Sequence, residues 1–169
     1  MLNSILFRKI ELQLLMNITA RALGKPPKRL WTLSNDQALQ SYAEYTRDNL
    51  REPVGEPLLR RMNDEAWRMG LLLRRLFFLR STERSRRFII SLYRNINIEL
   101  EGQMPGNLCF KHCFFSRYYS PATCLAASAL DEGIIRGIVG EGQLLFQQRI
   151  TEGCACCKAT FTTTNLQKE

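Results

Sequence analysis

The chain has 169 residues and a net charge of +8 at pH 7, and its six cysteines and one histidine all lie after residue 108. This length suits one domain, which can bury enough apolar surface to fold without disulfides or a structural metal. No charge-free run of 18 or more apolar residues occurs, so no transmembrane helix is expected. Arg8, Lys9 and Glu11 interrupt the apolar N-terminal stretch, which argues against a secretory signal and predicts a cytoplasmic protein with reduced thiols.

The positive charge is concentrated in the first part of the chain. Residues 1–100 hold 18 Lys and Arg against 10 Asp and Glu, whereas residues 101–169 hold six of each kind. A basic surface attracts nucleic acid, anionic lipid or a small carboxylate. The segment from Arg60 to Arg94 lacks an interleaved recognition motif, so we favour a solvated face over nucleic-acid binding and expect a small-molecule substrate as the partner.

Helical periodicity dominates the first 96 residues. Apolar spacing predicts a helix from Ile5 to Leu23, and Ser34 begins a capping-box pattern at the start of a second helix. A wide apolar surface between Leu59 and Leu79 predicts a central helix packed on more than one side. A fourth helix is expected to begin at Ser81 or Thr82, whose hydroxyls are typical caps.

After Asn97 the pattern changes to the alternation that is typical of strands. A hairpin is predicted, with its second strand from Leu108 to Phe115, followed by a helix from Pro121 to Ile138. Two further strands are predicted, from Gln143 to Thr151 and from the turn at Gly153 to about Thr163, with a loose tail behind them. The predicted fold is therefore α+β, one domain in which a helical layer (1–96) packs on a small, mostly antiparallel sheet with one inserted helix (97–163).

Special chemistry is expected in the stretch from Leu108 to Phe161, which holds every thiol. On a strand, Cys109 and Cys113 would share one face and His112 would point to the other. Thiols from separate elements could meet at the distances that zinc or an iron centre requires, although the CxxC spacing of common sites is absent. The alternative is that the cysteines pack as small apolar residues. The candidate metal ligands are Cys109, Cys113, Cys124, Cys154, Cys156 and Cys157.

Three charged residues in the same part of the chain are candidates for a substrate site. Asp131, on the predicted helix after Cys124, could be a general base facing a pocket or an exposed carboxylate. Arg149 and Arg117 could each hold a substrate carboxylate with paired donors, or could cover the edge of the sheet. The sequence leaves these alternatives open.

The order of features from Cys113 to Phe161 resembles the L-2-amino-thiazoline-4-carboxylic acid hydrolase family. The matching segments are HCFF around Cys113, SALDEG around Asp131, and ITEGCACCKATF, which contains Cys157 and Phe161. Three residues before Asp131 the chain has Ser128, where the family pattern has a cysteine.

The resemblance implies hydrolytic opening of a small cyclic amidine that carries a carboxylate. It implies Asp131 as the base, Cys113 and Cys157 as catalytic thiols, or the cysteines as metal ligands, and Arg149 as the group that holds the carboxylate. The alternative is a noncatalytic module that binds a metal or a small ligand through its cysteine-rich part.

Overall fold

A computed structural model describes residues 2–50 and 53–163 of the chain. Within these residues the α-helices are α1 (Leu2–Leu23), α2 (Asn35–Asn49), α3 (Glu56–Leu76), α4 (Thr82–Asn95) and α5 (Pro121–Val139). The strands are β1 (Glu99–Gly102), β2 (Gly106–Lys111), β3 (Gln143–Gln148) and β4 (Cys157–Thr162). Four helices precede the sheet and α5 is inserted between β2 and β3, so the fold is α+β, as predicted.

The four strands form one antiparallel sheet in the order β1-β2-β4-β3. Leu108 and Phe110 of β2 lie beside Ala159 and Phe161 of β4 on a buried face that packs on the helices. Side chains alternate along each strand, so the intervening residues point to the outer face, which is more exposed. The apolar inner face joins the sheet to the core of the helical layer.

The predicted capping box at the start of α2 is confirmed. The backbone N–H of Gln37 donates to Ser34 Oγ at 3.3 Å, and the backbone N–H of Ser34 donates to Gln37 Oε1 at 3.0 Å. Ser81 caps α4 through a single bond, in which its Oγ accepts from the backbone N–H of Arg84 at 3.3 Å. These hydroxyls accept from N–H groups that have no partner within the helix, so local sequence sets both helix starts.

The long helices α3 and α5 approach closely because glycine lies at their contact. A Cβ added at Gly70 of α3 would lie 2.5 Å from the carbonyl oxygen of Ile134 in α5. Gly133 and Gly137 of α5 likewise face the backbone of α3. The α3 helix also packs on α1, so it is the central helix that the sequence predicted.

Gly70→Ala is therefore expected to destabilise the protein by about 1–3 kcal/mol, although alanine is the better helix former. The added methyl group would clash with the backbone of α5, which cannot change rotamer as a side chain can. Chemical denaturation of both proteins measures the difference. Gly55→Ala is the control for an added methyl group without a clash, because its Cβ would lie 3.6 Å from Pro57 Cδ, an ordinary contact. Gly55 is the N-cap of α3, where alanine is less favourable than glycine, so a smaller loss than at Gly70 is expected there. Equal stability of the Gly70→Ala variant and the parent would contradict this explanation.

Three predicted strands are shorter than expected. The strand predicted to reach Phe115 ends at Lys111, because His112 adopts a left-handed backbone with φ of 50° and a 3₁₀ helix follows at Phe114–Arg117. The strand predicted to reach Thr151 ends at Gln148, before a 3₁₀ helix at Ile150–Glu152. The last strand begins only at Cys157. Residues 164–169 of the predicted loose tail lie outside the described residues.

Among the described residues, none of the helices combines the length and the apolar character needed to cross a membrane.

Candidate functional site

A small cavity lies between the helical layer and the segment that leads from β2 into α5. Its volume is about 90 Å³, and its walls come from α1, α2, α3, α4, α5 and the 3₁₀ helix at Phe114–Arg117. Most of the lining is apolar and includes Leu15, Met69, Leu92 and Ile134. Since a cavity of about 150 Å³ holds benzene, this one accepts only a few heavy atoms unless its mouth opens.

Asp131 lies in the wall of this cavity on α5. The Tyr93 hydroxyl, from α4, donates to Asp131 Oδ1 at 2.8 Å. Burial raises the pKa of Asp131 from 3.8 to about 6, while the Tyr93 hydrogen bond and the nearby charge of Arg149 oppose that rise. At pH 7 the carboxylate is therefore mostly ionised and close enough to its pKa to accept a proton.

Glu11 of α1 lines the same cavity and was missed by the reasoning from sequence. Its residue is only 6% exposed, and Asn95 Nδ2 donates to Glu11 Oε2 at 2.9 Å. Burial raises the pKa of Glu11 to about 8, so the carboxyl group is mostly protonated at pH 7. The sequence contained a sign of this burial, because Glu11 lies one helical turn before Leu15, on a face of α1 that is otherwise apolar.

The two carboxyl groups of the cavity thus have different protonation states at neutral pH. The pKa of Asp131 is about 6 and that of Glu11 is about 8, and burial is the main cause of both shifts. Two carboxyl groups whose environments separate their pKa values are suited to the roles of base and acid in one reaction. The arrangement can therefore remove a proton at one position and supply a proton at another.

Three of the six thiols lie at or near the cavity. Cys113 and Cys124 line it, and Cys157 on the inner face of β4 accepts a hydrogen bond from the backbone N–H of Ile150 at 3.3 Å. Burial raises the pKa of Cys113 to about 12 and that of Cys157 to about 11, and it also raises the pKa of Cys124. All three are thiols at neutral pH, and a thiol is a much weaker nucleophile than a thiolate.

The six cysteines do not form the single cluster that was expected. Cys109 lies on the more exposed face of β2, where it contacts Cys156. The strand ends at Lys111, so Cys113 does not continue that face. Cys113 follows the left-handed residue His112 and turns toward the cavity instead. In the part of the chain that the structure describes, no three Cys, His, Asp or Glu side chains are arranged to hold a metal ion. The described residues therefore do not provide the zinc or iron site that was predicted from these cysteines.

Arg149 lies beside the cavity and not in its wall. Its Nε donates to Ser128 Oγ at 3.4 Å, and its Nη1 lies 3.6 Å from Glu152 Oε1. The side chain is 11% exposed and borders a surface groove between α3, α5 and β3. Its positive charge lowers the pKa of Asp131, so the guanidinium is close to the base.

Arg117 and His112 lie away from the cavity. The exposed guanidinium of Arg117 stacks over the ring of Phe114 at 5.3 Å. His112 Nε2 lies 3.6 Å from Glu99 Oε2, and the histidine side chain is 83% exposed. Of the charged residues singled out from the sequence, Asp131 is placed in the cavity, Arg149 next to it and Arg117 elsewhere.

Comparison of the chain with family models, with curated proteins and with solved structures found no match in any of the three searches. The resemblance to the thiazoline hydrolase family thus rests on the residues around Cys113, Asp131 and Cys157. The geometry of the cavity is the independent basis for a function.

Proposed function

We propose that this chain is a small-molecule hydrolase that adds water to the C=N carbon of a cyclic amidine-type carboxylate, such as L-2-amino-thiazoline-4-carboxylate. The observation that carries the proposal is the pair of carboxyl groups in one small, apolar cavity. Asp131 is mostly ionised and Glu11 mostly protonated at neutral pH, because burial shifts their pKa values by different amounts. Such a pair supplies the base and the acid that hydrolysis of a carbon–nitrogen bond requires.

In the proposed reaction, Asp131 accepts a proton from the water that attacks the C=N carbon. The hydroxyl of Tyr93 holds Asp131 Oδ1 in place, which fixes the direction of the carboxylate. Glu11 donates a proton to the ring nitrogen as the carbon–nitrogen bond breaks. The oxygen of water becomes the new carbonyl oxygen, and both of its hydrogens finish on the released amine.

The charges around the cavity support a substrate with a basic head and an acidic tail. An amidine is readily protonated, and the ionised Asp131 stabilises a positive charge beside it. No Lys, Arg or His among the described residues lines the cavity, so the carboxylate is expected to point outward to Arg149. The volume of about 90 Å³ fits only the reacting end of such a molecule, so its carboxylate would lie outside the cavity.

Water, and not a cysteine, is the nucleophile in this proposal. The pKa values of Cys113 and Cys157, about 12 and about 11, leave a negligible thiolate fraction at neutral pH. The thiols then serve as weakly polar lining next to the base. The catalytic role that the resemblance implies for Cys113 and Cys157 would require a substrate-induced fall in their pKa values.

Incubation of the purified protein with L-2-amino-thiazoline-4-carboxylate tests the proposal directly. Mass spectrometry is expected to show S-carbamoylcysteine, the product of opening the ring at its carbon–nitrogen bond. Parallel reactions contain a chelator or an added divalent metal, and a heat-denatured sample is the blank. Absence of product under all of these conditions would contradict the proposed reaction.

Arg149→Gln is expected to raise KM for this substrate by roughly 10- to 100-fold with a smaller change in kcat, because a charge-assisted contact to the carboxylate is lost. Steady-state kinetics separates the two constants. Arg117→Gln is the matched control and is expected to leave both unchanged, since Arg117 lies away from the cavity. An unchanged KM in a folded Arg149→Gln protein would show that Arg149 does not bind the carboxylate.

The apolar lining favours one second candidate, a noncatalytic module that binds a small apolar ligand. Leu15, Met69 and Leu92 offer more contact surface to such a ligand than to a charged one. A rise in melting temperature under xenon, an apolar probe smaller than benzene, together with no hydrolysis of the thiazoline, would favour this candidate over the hydrolase.

A further inference from the structure

Exposed apolar side chains are concentrated where α3 ends and α4 begins. Leu72 is 50% exposed, Leu76 60%, Phe77 43% and Phe78 65%. Leu72 and Leu76 are one helical turn apart and lie on the same side of α3. We call the segment from Leu72 to Arg87 the α3–α4 corner. Single exposed apolar side chains are common on protein surfaces, whereas a cluster of them is typical of a surface that binds a partner.

The two phenylalanines of the corner have different roles. The ring of Phe77 lies 4.7 Å from that of Phe88 and 5.7 Å from that of Phe7, so it ties the corner to α4 and α1. Phe78 has a left-handed backbone with φ of 51°, which is unfavourable for a bulky residue. Its side chain makes no ring contact among the described residues and is the most exposed of the four. The fold therefore presents an apolar ring to the outside at a conformational cost.

The same segment is rich in arginine, and Arg74, Arg75 and Arg80 line one shallow surface pocket together with Phe78. Residues 68–94 contain eight arginines against the single acidic residue Glu83, a net charge of +7. Arg86 and Arg87 pair with Glu83. Arg80 and Arg84 are exposed and have no ion-pair partner within the described part of the chain. Free positive charge beside exposed apolar side chains is the pattern of a protein surface that binds anionic lipid.

We propose that the α3–α4 corner docks on an anionic lipid surface. Leu76 and Phe78 enter the boundary between headgroups and acyl chains, and Arg80 and Arg84 contact the lipid phosphates and carboxylates. Nucleic acid would engage the arginines equally, but it offers no apolar partner to Leu72 and Leu76. This inference goes beyond the proposed hydrolase activity and is independent of it, because the corner does not line the cavity.

Co-sedimentation of the full chain with vesicles tests the proposal. Binding is expected to vesicles of equal parts phosphatidylcholine and phosphatidylserine, and not to phosphatidylcholine alone, and it should weaken as salt is added. Phe78→Asn is expected to weaken binding about tenfold, since the most exposed of the inserted apolar side chains is lost. Asparagine tolerates the left-handed backbone, so this variant should keep its melting temperature. Arg80→Gln with Arg84→Gln is expected to weaken binding about fivefold for each charge removed.

Matched controls distinguish binding through the α3–α4 corner from nonspecific apolar adsorption and from the effect of net charge. Leu145→Gln removes a side chain that is 51% exposed on β3, and Arg29→Gln removes an exposed charge before α2. Arg29→Gln is expected to leave vesicle binding almost unchanged, and Leu145→Gln to have no effect. Equal binding to neutral vesicles, no vesicle binding at low salt, or an equal loss in the controls would each overturn the proposal. So would salt-sensitive binding to duplex DNA with no vesicle binding.

Discussion

Asp131→Asn is expected to lower kcat/KM for the thiazoline carboxylate by about 10²- to 10⁴-fold, the contribution of a positioned general base. Asparagine keeps the size of the side chain but cannot accept the proton of the attacking water. Its amide oxygen can still accept the hydrogen bond that the Tyr93 hydroxyl now donates to Oδ1 at 2.8 Å. The fold should therefore survive, and steady-state kinetics with a melting curve of the same sample measures both properties.

Glu132→Gln is the matched control, because Glu132 is the next residue on α5 and borders the surface groove, not the cavity. It is expected to keep nearly full activity. Tyr93→Phe is a second variant with a different signature. The hydrogen bond from the Tyr93 hydroxyl lowers the pKa of Asp131. Loss of this bond should therefore move the acidic side of the plot of kcat/KM against pH to higher pH. Retention of activity by Asp131→Asn would remove Asp131 as the base.

The parent protein should show a bell-shaped dependence of kcat/KM on pH. Activity is expected to rise as Asp131 loses its proton near pH 6 and to fall as Glu11 loses its proton near pH 8. Glu11→Gln should lower kcat/KM near neutral pH, because glutamine cannot donate the proton, and should flatten the fall at high pH, because glutamine has no proton to lose.

Glu11 is also expected to make the protein less stable as pH rises. The pKa of Glu11 is 4.5 in an unfolded chain and about 8 in the folded protein, so the folded state binds this proton more tightly. The free energy of unfolding is therefore unaffected by Glu11 below pH 4.5, falls as pH rises toward 8, and is lowest above that value. The shift corresponds to about 5 kcal/mol.

Glu11→Gln is accordingly expected to stabilise the protein by up to about 5 kcal/mol above pH 8 and to change little below pH 4.5. The glutamine Oε1 can keep the hydrogen bond that Asn95 donates. Denaturant titrations across this pH range measure the difference between the two proteins. Glu56→Gln is the control, because Glu56 is exposed in the first turn of α3. A difference that does not depend on pH would contradict the burial of an ionisable Glu11.

The helices could be predicted from the sequence because their signals are local. The hydroxyl of Ser34 and the side chain of Gln37 satisfy the first backbone groups of α2 whatever else packs there. The change from helical to alternating periodicity after Asn97 likewise predicts α+β without any knowledge of contacts. Strand ends were less accurate, because the left-handed turn at His112 has no clear sequence signal.

The sequence by itself determined the α+β class and the starts of α2, α4 and α5, and it singled out Asp131 as a candidate base, whereas the tertiary structure decided what surrounds Asp131. Glu11 and Tyr93 come to it from α1 and α4, which are distant in the chain. Their pKa values depend on burial, which exists only once these helices pack together. The division of the thiols between the cavity and the more exposed face of the sheet has the same cause. Residue type specifies which groups can react, but only packing sets their neighbours, their solvation and hence their charge.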